Sequence, residues 1–262
     1  MSRMSRARQV ILTHEHADFD AVASLVGLAR LLPGAVPVRP DAVNANVEQF
    51  LTLFGRQLPL QRREDLPRTP VTHAWMVDSR KVQPVKGMSA HTPRSLIDHH
   101  LPVEEDPGAF VSLDVQAVGA TATLITERLR AAGATLPVVE STLLLLGIYE
   151  DTGALTYGGT TPRDLRAAAW LLEAGAALDA LGQFLARPLS AAAQAVLRRL
   201  MDEAESLEQA DHRVVIATAA APGYQEEVSM LATKMLDLLA PAALFVLVDV
   251  GTHVQLVARS TT

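Results

Sequence analysis

The sequence predicts an α/β fold built on a parallel sheet, and three observations carry that expectation. Short apolar runs of strand length alternate with segments of helical periodicity through the first half of the chain. Aspartate and histidine recur directly after the strand-like runs, at the positions where open parallel sheets form their ligand crevice. From His212 the pattern returns to strand, helix, strand, strand, which predicts a second, smaller α/β unit. A length of 262 residues suits two domains of ordinary size, and a 49% hydrophobic content suffices for their cores.

Gln9-Val10-Ile11-Leu12 reads as the first strand. Val22, Leu25, Val26, Leu28, Ala29 and Leu32 then mark a helix over Ala21 to Leu32, stopped by Pro33-Gly34. Ala35 to Arg39 is strand-like, and Asn46 to Phe54 is helical, with Val47, Phe50, Leu51 and Phe54 on one face and Gly55 at its end. Gln61 to Pro70 is polar and bounded by proline, so a loop is expected. His73 to Val77 and Ser95-Leu96-Ile97 are the next buried strands. After a loop rich in proline and acid, Gly119 to Ala132 is a helix stopped by Gly133, and the nearly all-apolar Val138 to Tyr149 predicts a helix buried inside the domain. Thr161-Pro162-Arg163-Asp164 has the form of a capped helix start. Helices are expected to continue to about Gln209, the last over Ser190 to Glu208. Arg213 to Thr218, Ala243 to Val248 and Val254 to Ala258 are strand-like, with a helix over Gln225 to Leu239.

Composition narrows the chemistry. There is no cysteine, so disulfides and thiolate metal sites are excluded, and any metal must be held by His, Asp or Glu. Such a donor set favours Mn2+ or Mg2+. A net charge of −6 argues against wrapping long duplex nucleic acid and suits a small or short anionic substrate. With no apolar stretch ahead of the first strand and no run of membrane-spanning length, the expected location is the cytoplasm, with no membrane partner.

Four clusters of candidate ligands lie at element ends. Thr13-His14-Glu15-His16-Ala17-Asp18-Phe19-Asp20 follows the first strand, and Asp78 follows His73 to Val77. Asp98-His99-His100 follows Ser95 to Ile97, and Asp151 closes the buried helix. A single Asp after a strand is more often a cap or turn residue, but capping explains one carboxylate and not the set. Together they suit two-metal phosphoryl hydrolysis, in which ions roughly 4 Å apart acidify a shared water and neutralise the phosphate under attack.

These clusters, in this order, resemble the four motifs of the DHH phosphoesterase superfamily, with His14-x-x-x-Asp18-x-Asp20 as the first and Asp98-His99-His100 as the third. The likeness covers a DHH catalytic domain over about 9–159. It extends more faintly across a helical connector at 160–209 to a DHHA1-like substrate domain at 210–262. By this resemblance His14 and Asp18 hold one ion, Asp20, His99 and Asp151 hold the other, and Asp78 bridges both. His100 faces the scissile phosphate as a catalytic group, and Asp98 orients the His pair. Glu15 and His16 fall at positions the family does not use as ligands, so loop or supporting roles are expected. His73, His91, His212 and His253 lie outside the motifs. Arg80 and Lys81 are placed either to meet substrate phosphate or simply to end a loop in solvent.

The glycine-rich, histidine-containing loop usual near the end of DHHA1 domains does not occur between His212 and Thr262, so a truncated second domain is expected. The wording around His14 and around Gly147 to Gly153 is also similar to the DHH module that precedes CBS and tRNA nucleotidyltransferase domains, which implies such fused domains beyond residue 262. The implied activity is a two-metal phosphoesterase acting on short oligoribonucleotides or small nucleotide phosphoesters. The alternatives are an inorganic pyrophosphatase and a non-catalytic nucleotide- or RNA-positioning module. The oligomeric state is left open.

Overall fold

A computed structural model describes residues 8–81, 83–101, 110–185, 189–209, 212–226 and 228–260. The chain forms two compact units, Met1–Arg187 and Pro188–Thr262. The first is built on a six-stranded sheet in the order β3-β2-β1-β4-β5-β6, parallel at every pairing. Its strands are β1 (Arg8–Leu12), β2 (Ala35–Arg39), β3 (Gln61–Arg62), β4 (Val71–Val77), β5 (Arg94–Asp98) and β6 (Ser112–Val115). The chain builds outward from β1 to β2 and β3, then returns to the other side of β1 for β4, β5 and β6. The reversal lies between β1 and β4, and their carboxyl ends therefore border a topological switch point, where parallel sheets bind ligands.

The main core lies where Ile11, Val77 and Ile97 meet the helices. Helices α1 (Phe19–Leu31), α3 (Thr121–Ala131) and α4 (Val138–Asp151) pack on one another, with α2 (Ala45–Phe54), α5 (Pro162–Glu173) and α6 (Ala180–Phe184) around them. Helix α4 is buried along most of its length because its apolar residues surround the whole helix, with Leu143 to Leu146 and Ile148 fully buried. Its one buried acid, Glu140, is paired with both Arg30 Nε and Nη2 at 2.7 Å. The strand residues Val10, Leu12, Val38, Val71 and Ala74 form a separate cluster with Leu66 and Val85.

Two local features bring distant parts of the chain onto the sheet's carboxyl edge. Gly147 sits where a Cβ would come within 2.9 Å of Asp20 Cα and 3.1 Å of the Phe19 carbonyl oxygen, so its missing side chain lets α4 meet the start of α1. One turn later α4 delivers Asp151. The expected cap at Thr161 is present as a reciprocal capping box with Asp164. The fully buried Asp164 carboxylate also accepts from Gly119 N at 3.0 Å and from Thr123 Oγ1 at 2.5 Å, which fixes the start of α3 against α5.

The second unit is a four-stranded sheet in the order β10-β9-β8-β7, with strands β7 (Glu205–Gln209), β8 (His212–Ala220), β9 (Ala243–Asp249) and β10 (Val254–Ser260). β8 and β9 are parallel, and the two outer pairings are antiparallel. Helices α7 (Ala191–Asp202) and α8 (Val228–Leu239) cover the face carrying Val215, Ala217, Ala219, Leu244, Val246 and Val248. The helices expected between the two α/β regions thus divide, α5 and α6 packing in the first core and α7 in the second.

Three elements differ from the sequence expectation. The polar stretch after residue 60 contains the two-residue strand β3 and a 3-10 turn at Arg63–Asp65. β6 occupies the region before α3 where only a loop is expected, and the Pro- and acid-rich residues 102–109 lie outside the described part. The helix expected over Ser190 to Glu208 ends at Asp202 and is followed by β7. All three strands lie at sheet edges and bury little, with Leu113 54% and Leu207 52% exposed, so no alternating pattern marks them. Ala204 and Leu207 continue the helical spacing from Leu200 by coincidence. Among the described residues no helix is long and apolar enough to cross a membrane.

The close approach at Gly147 gives a direct test. Gly147→Ala should lower the unfolding free energy by about 1–3 kcal/mol through overpacking against the α1 backbone, despite the better helix propensity of alanine. Urea denaturation measures it, and an unchanged or higher midpoint contradicts the packing argument.

Candidate metal centre

The segment after β1 is pinned to β4 by Thr13 Oγ1, which donates to the Val77 carbonyl at 2.8 Å. His14 Nδ1 donates to the Glu15 carbonyl at 2.8 Å, which fixes the tautomer and turns Nε2 toward Asp78 Oδ2, 3.5 Å away. Asp18 is the N-cap of α1, accepting from Ala21 N at 3.0 Å. Asp20, in the first turn of α1, has no exposed surface, and its two oxygens accept from Thr121 N at 2.8 Å and Ala122 N at 2.6 Å. The amino end of α3 thus compensates a carboxylate that no cationic side chain pairs closely.

Asp78 follows β4 with φ of 54°, a left-handed conformation uncommon for a residue with a side chain. Its carboxylate accepts from Thr121 Oγ1 at 3.0 Å and lies 3.6 Å from His99 Nε2 and 3.5 Å from His100 Nδ1. His99 Nδ1 donates to the Val118 carbonyl at 3.1 Å. Its Nε2 is buried and completes no hydrogen bond, although it lies 3.2 Å from Asp151 Oδ2 and 4.0 Å from Asp20 Oδ2. Asp98 accepts at Oδ1 from both His100 N (3.0 Å) and His100 Nδ1 (2.9 Å), and its Oδ2 is 4.0 Å from Arg80 Nε. Asp98 therefore orients only the second histidine of the pair expected from the sequence, because a backbone carbonyl already occupies His99 Nδ1.

All eight singled-out residues, His14, Asp18, Asp20, Asp78, Asp98, His99, His100 and Asp151, are brought to one region at the sheet's carboxyl edge. Donor atoms of His14, Asp18 and Asp78 lie within 4.8 Å of one another, as do those of Asp20, His99 and Asp151, and of Asp78, His99 and His100. These are hard oxygen donors with imidazole nitrogens, a set that fits Mn2+ or Mg2+. The orphaned Nε2 of His99, aimed into carboxylates, fits a cation as its partner. His16, by contrast, is exposed and has a φ of 57°.

The periodicity and motif reading missed Glu150, Thr121 and the Val118 carbonyl. Glu150 accepts from Phe19 N and Asn46 Nδ2, each at 2.7 Å, so it caps α1 beside Asp18 and Asp20. Its adjacency to Asp151 at the end of an apolar helix was the available signal, since a half-buried acid there needs donors.

Crowding of carboxylates perturbs their protonation. Burial, with the charges of Asp78 and Asp151, pushes Asp18 up to about 6, and the same causes raise Asp20. Burial also pushes Glu150 up to about 7. The Asp78 carboxylate raises His14 to about 9. Burial lowers the His99 pKa, but Asp151 and Asp78 outweigh it and bring the ring to about 9. These five groups act in the same direction, against the lowered Asp98 and His73: from about pH 4 to about pH 9 they hold more protons in the folded metal-free chain than in the unfolded chain. Its stability should fall as pH rises through that window. Mn2+, which takes the deprotonated ligands, should reverse the loss, adding about 2.7 kcal/mol at a free concentration a hundred times its Kd, with the larger effect at the alkaline end. Melting curves at about pH 5.5 and about pH 8.5, with metal and with chelator, test this. A flat metal-free profile with no Mn2+ shift contradicts it.

The chain is 32% identical over 257 residues to the A-adding tRNA nucleotidyltransferase of Geobacter sulfurreducens, a match covering 96% of this chain and 29% of that protein. It is 25% identical over 180 residues to a Streptococcus agalactiae protein named as a probable manganese-dependent inorganic pyrophosphatase, covering 66% of this chain and 58% of the relative. An exopolyphosphatase-related protein from Bacteroides fragilis shares the fold, with a TM-score of 0.74 at 17% identity over 98% of this chain and 80% of that one. The model of the DHH family N-terminal domain matches residues 8–148, and with the ordered His and Asp clusters gathered on the carboxyl edge of a parallel sheet, the chain belongs to the DHH family.

Proposed function

We propose that this chain is a divalent-cation-dependent phosphoesterase that hydrolyses short oligoribonucleotides or small nucleotide phosphoesters. The observation that carries the reading is the sharing of Asp78: it groups with His14 and Asp18 on one side and with His99 and His100 on the other. In this reading His14 and Asp18 hold one ion, Asp20, His99 and Asp151 hold a second, and Asp78 serves both. Mn2+ or Mg2+ bound there supplies charge neutralisation at phosphorus and acidifies a water for attack.

The remaining chemistry belongs to side chains of the chain. His14 and His99 each commit Nδ1–H to a carbonyl and keep Nε2 as a donor lone pair. His100 is different: its Nδ1 is held by Asp98, its side chain is 63% exposed, and its ring can exchange a proton with a substrate oxygen. Asp98 stabilises the protonated ring, raising the His100 pKa. Residues 210–262, within the unit Pro188–Thr262, are read as a partial DHHA1-like substrate domain.

Two further readings have specific support. Likeness to the streptococcal protein favours pyrophosphate as an alternative substrate. Likeness to the A-adding enzyme favours a module that positions nucleotide or RNA without hydrolysing it. Assay with Mn2+ against a ribodinucleotide, 3′-phosphoadenosine 5′-phosphate and pyrophosphate separates them. Turnover of the first two supports the proposal, turnover of pyrophosphate alone supports the second reading, and metal binding without turnover supports the third.

Paired substitutions test the assigned roles. Asp78→Ala should abolish tight binding of both ions, whereas His100→Ala should keep both and lose about 10²–10⁴-fold in kcat. Elemental analysis alongside kinetics measures this, and equal metal loss in the two variants would mean that His100 is a ligand.

A further inference from the structure

We infer that Arg63, acting through Glu15 and through the segment that follows Asp78, is a positioning residue for the metal centre. This rests on the metal-centre reading above. Arg63 opens the 3-10 turn after β3, in a stretch whose polarity predicts only a loop. Yet its side chain is 18% exposed, against 63% for neighbouring Arg62, and its guanidinium reaches three separate segments. Nη2 donates to Glu15 Oε1 at 2.9 Å, Nη1 donates to the carbonyls of Gln83 (3.1 Å) and Pro84 (3.2 Å), and Nε lies 3.1 Å from Asp41 Oδ2.

The Glu15 arm leads straight to a proposed ligand. The carbonyl of Glu15 accepts from His14 Nδ1 and so sets the direction of Nε2. The Glu15 side chain holds that peptide in place between Arg63 and Ala42 N, the latter at 3.1 Å, while His16 N donates to the Ala42 carbonyl at 3.0 Å. The other arm holds the chain that leaves Asp78. Both loops contain a strained residue, His16 with φ of 57° and Asp78 with φ of 54°. Such conformations persist where the surroundings over-determine them. One guanidinium fastens both loops, and those loops carry His14, Asp18 and Asp78, the members of one ligand group. A planar fork with several fixed donors can join a carboxylate to two carbonyls, whereas a lysine ammonium on its flexible stem does not hold the three in register.

The test measures Mn2+ binding by calorimetry on the whole chain, with the metal-free melting temperature recorded for every variant. Arg63→Ala, Arg63→Lys and Glu15→Gln should each weaken the His14/Asp18/Asp78 site by about 10–100-fold, with lysine the mildest. Glu15→Gln keeps shape but must turn an amide NH2 toward one of its two donors, so it remains informative if Arg63→Ala does not fold. The double variant should lose less than the sum of the two single losses, as partners in one network do. In variants whose metal-free melting temperature matches that of the parent, excess Mn2+ should restore kcat with KM for the phosphoester unchanged, a rescue that stabilisation by the metal does not account for there.

Arg62→Ala, which removes only exposed pairs to Glu64 and Asp65, should bind Mn2+ as the parent does. Mn2+ affinities within about threefold of the parent in folded Arg63→Lys and Glu15→Gln would overturn the inference, as would an equal loss in Arg62→Ala. A parent chain that binds no Mn2+ overturns both this inference and the metal-centre reading. Metal binding without phosphoester turnover removes only the proposed activity.

Discussion

A carboxylate with no exposed surface needs donors or a counter-charge, and Asp20 gets them from the first amides of α3. Much of the first unit is arranged around that arrangement and its neighbours. The amino end of α1 faces the same region, with Phe19 N given to Glu150 and Ala21 N to Asp18. Two helix termini therefore supply fixed positive poles to a cluster in which Asp18, Asp20, Asp78 and Asp151 repel one another. Parallel topology brings this about, since β1, β4 and β5 all end at the same edge and α1 starts directly after β1.

Holding α3 in that position is itself a long-range task. Asp164 accepts from Gly119 N and Thr123 Oγ1 as well as from its own capping partner Thr161. A local helix-start signal thus fastens the α3 terminus that serves Asp20. Gly119 is required for the same contact, since a Cβ there would meet Thr152 Cγ2 at 2.5 Å and Asp164 at 3.0 Å. Asp164 supports the cluster without facing it, and substitution there would be felt at Asp20 through the backbone of α3.

Elements that bury a face were legible in the sequence, and those that do not were hidden. β1, β2, β4, β5 and the buried α4 are marked by apolar runs and their stops. β3, β6 and β7 lie at edges and bury too little to leave a pattern. At the site, residue type and order were enough to single out His14, Asp18, Asp20, Asp78, Asp98, His99, His100 and Asp151. Their supports were not legible, because each depends on a distant segment: Glu150 meets Phe19 across 131 positions, and Thr121 meets Asp78 across 43. Asp18 both caps α1 and belongs to the ligand cluster. Capping and metal binding use different lone pairs of one carboxylate, so evidence for the first is no argument against the second.

The two adjacent histidines illustrate how a small difference in acceptor separates chemical roles. Both rings donate through Nδ1, His99 to a neutral carbonyl and His100 to the Asp98 carboxylate. A carbonyl fixes the tautomer while adding little charge stabilisation to the ring, so with a cation in place of the proton His99 Nε2 is suited to be a neutral donor. A carboxylate stabilises the imidazolium and raises the His100 pKa, while the hydrogen bonds and charge from the pair outweigh burial and keep Asp98 ionised. Exposure follows the same division, with the His99 side chain 13% and the His100 side chain 63% exposed. β5 ends at Asp98, and the turn that follows directs His99 inward and leaves His100 at the surface. One tripeptide at the end of one strand can thus provide a buried ligand, a solvent-facing proton carrier, and the acid that distinguishes them.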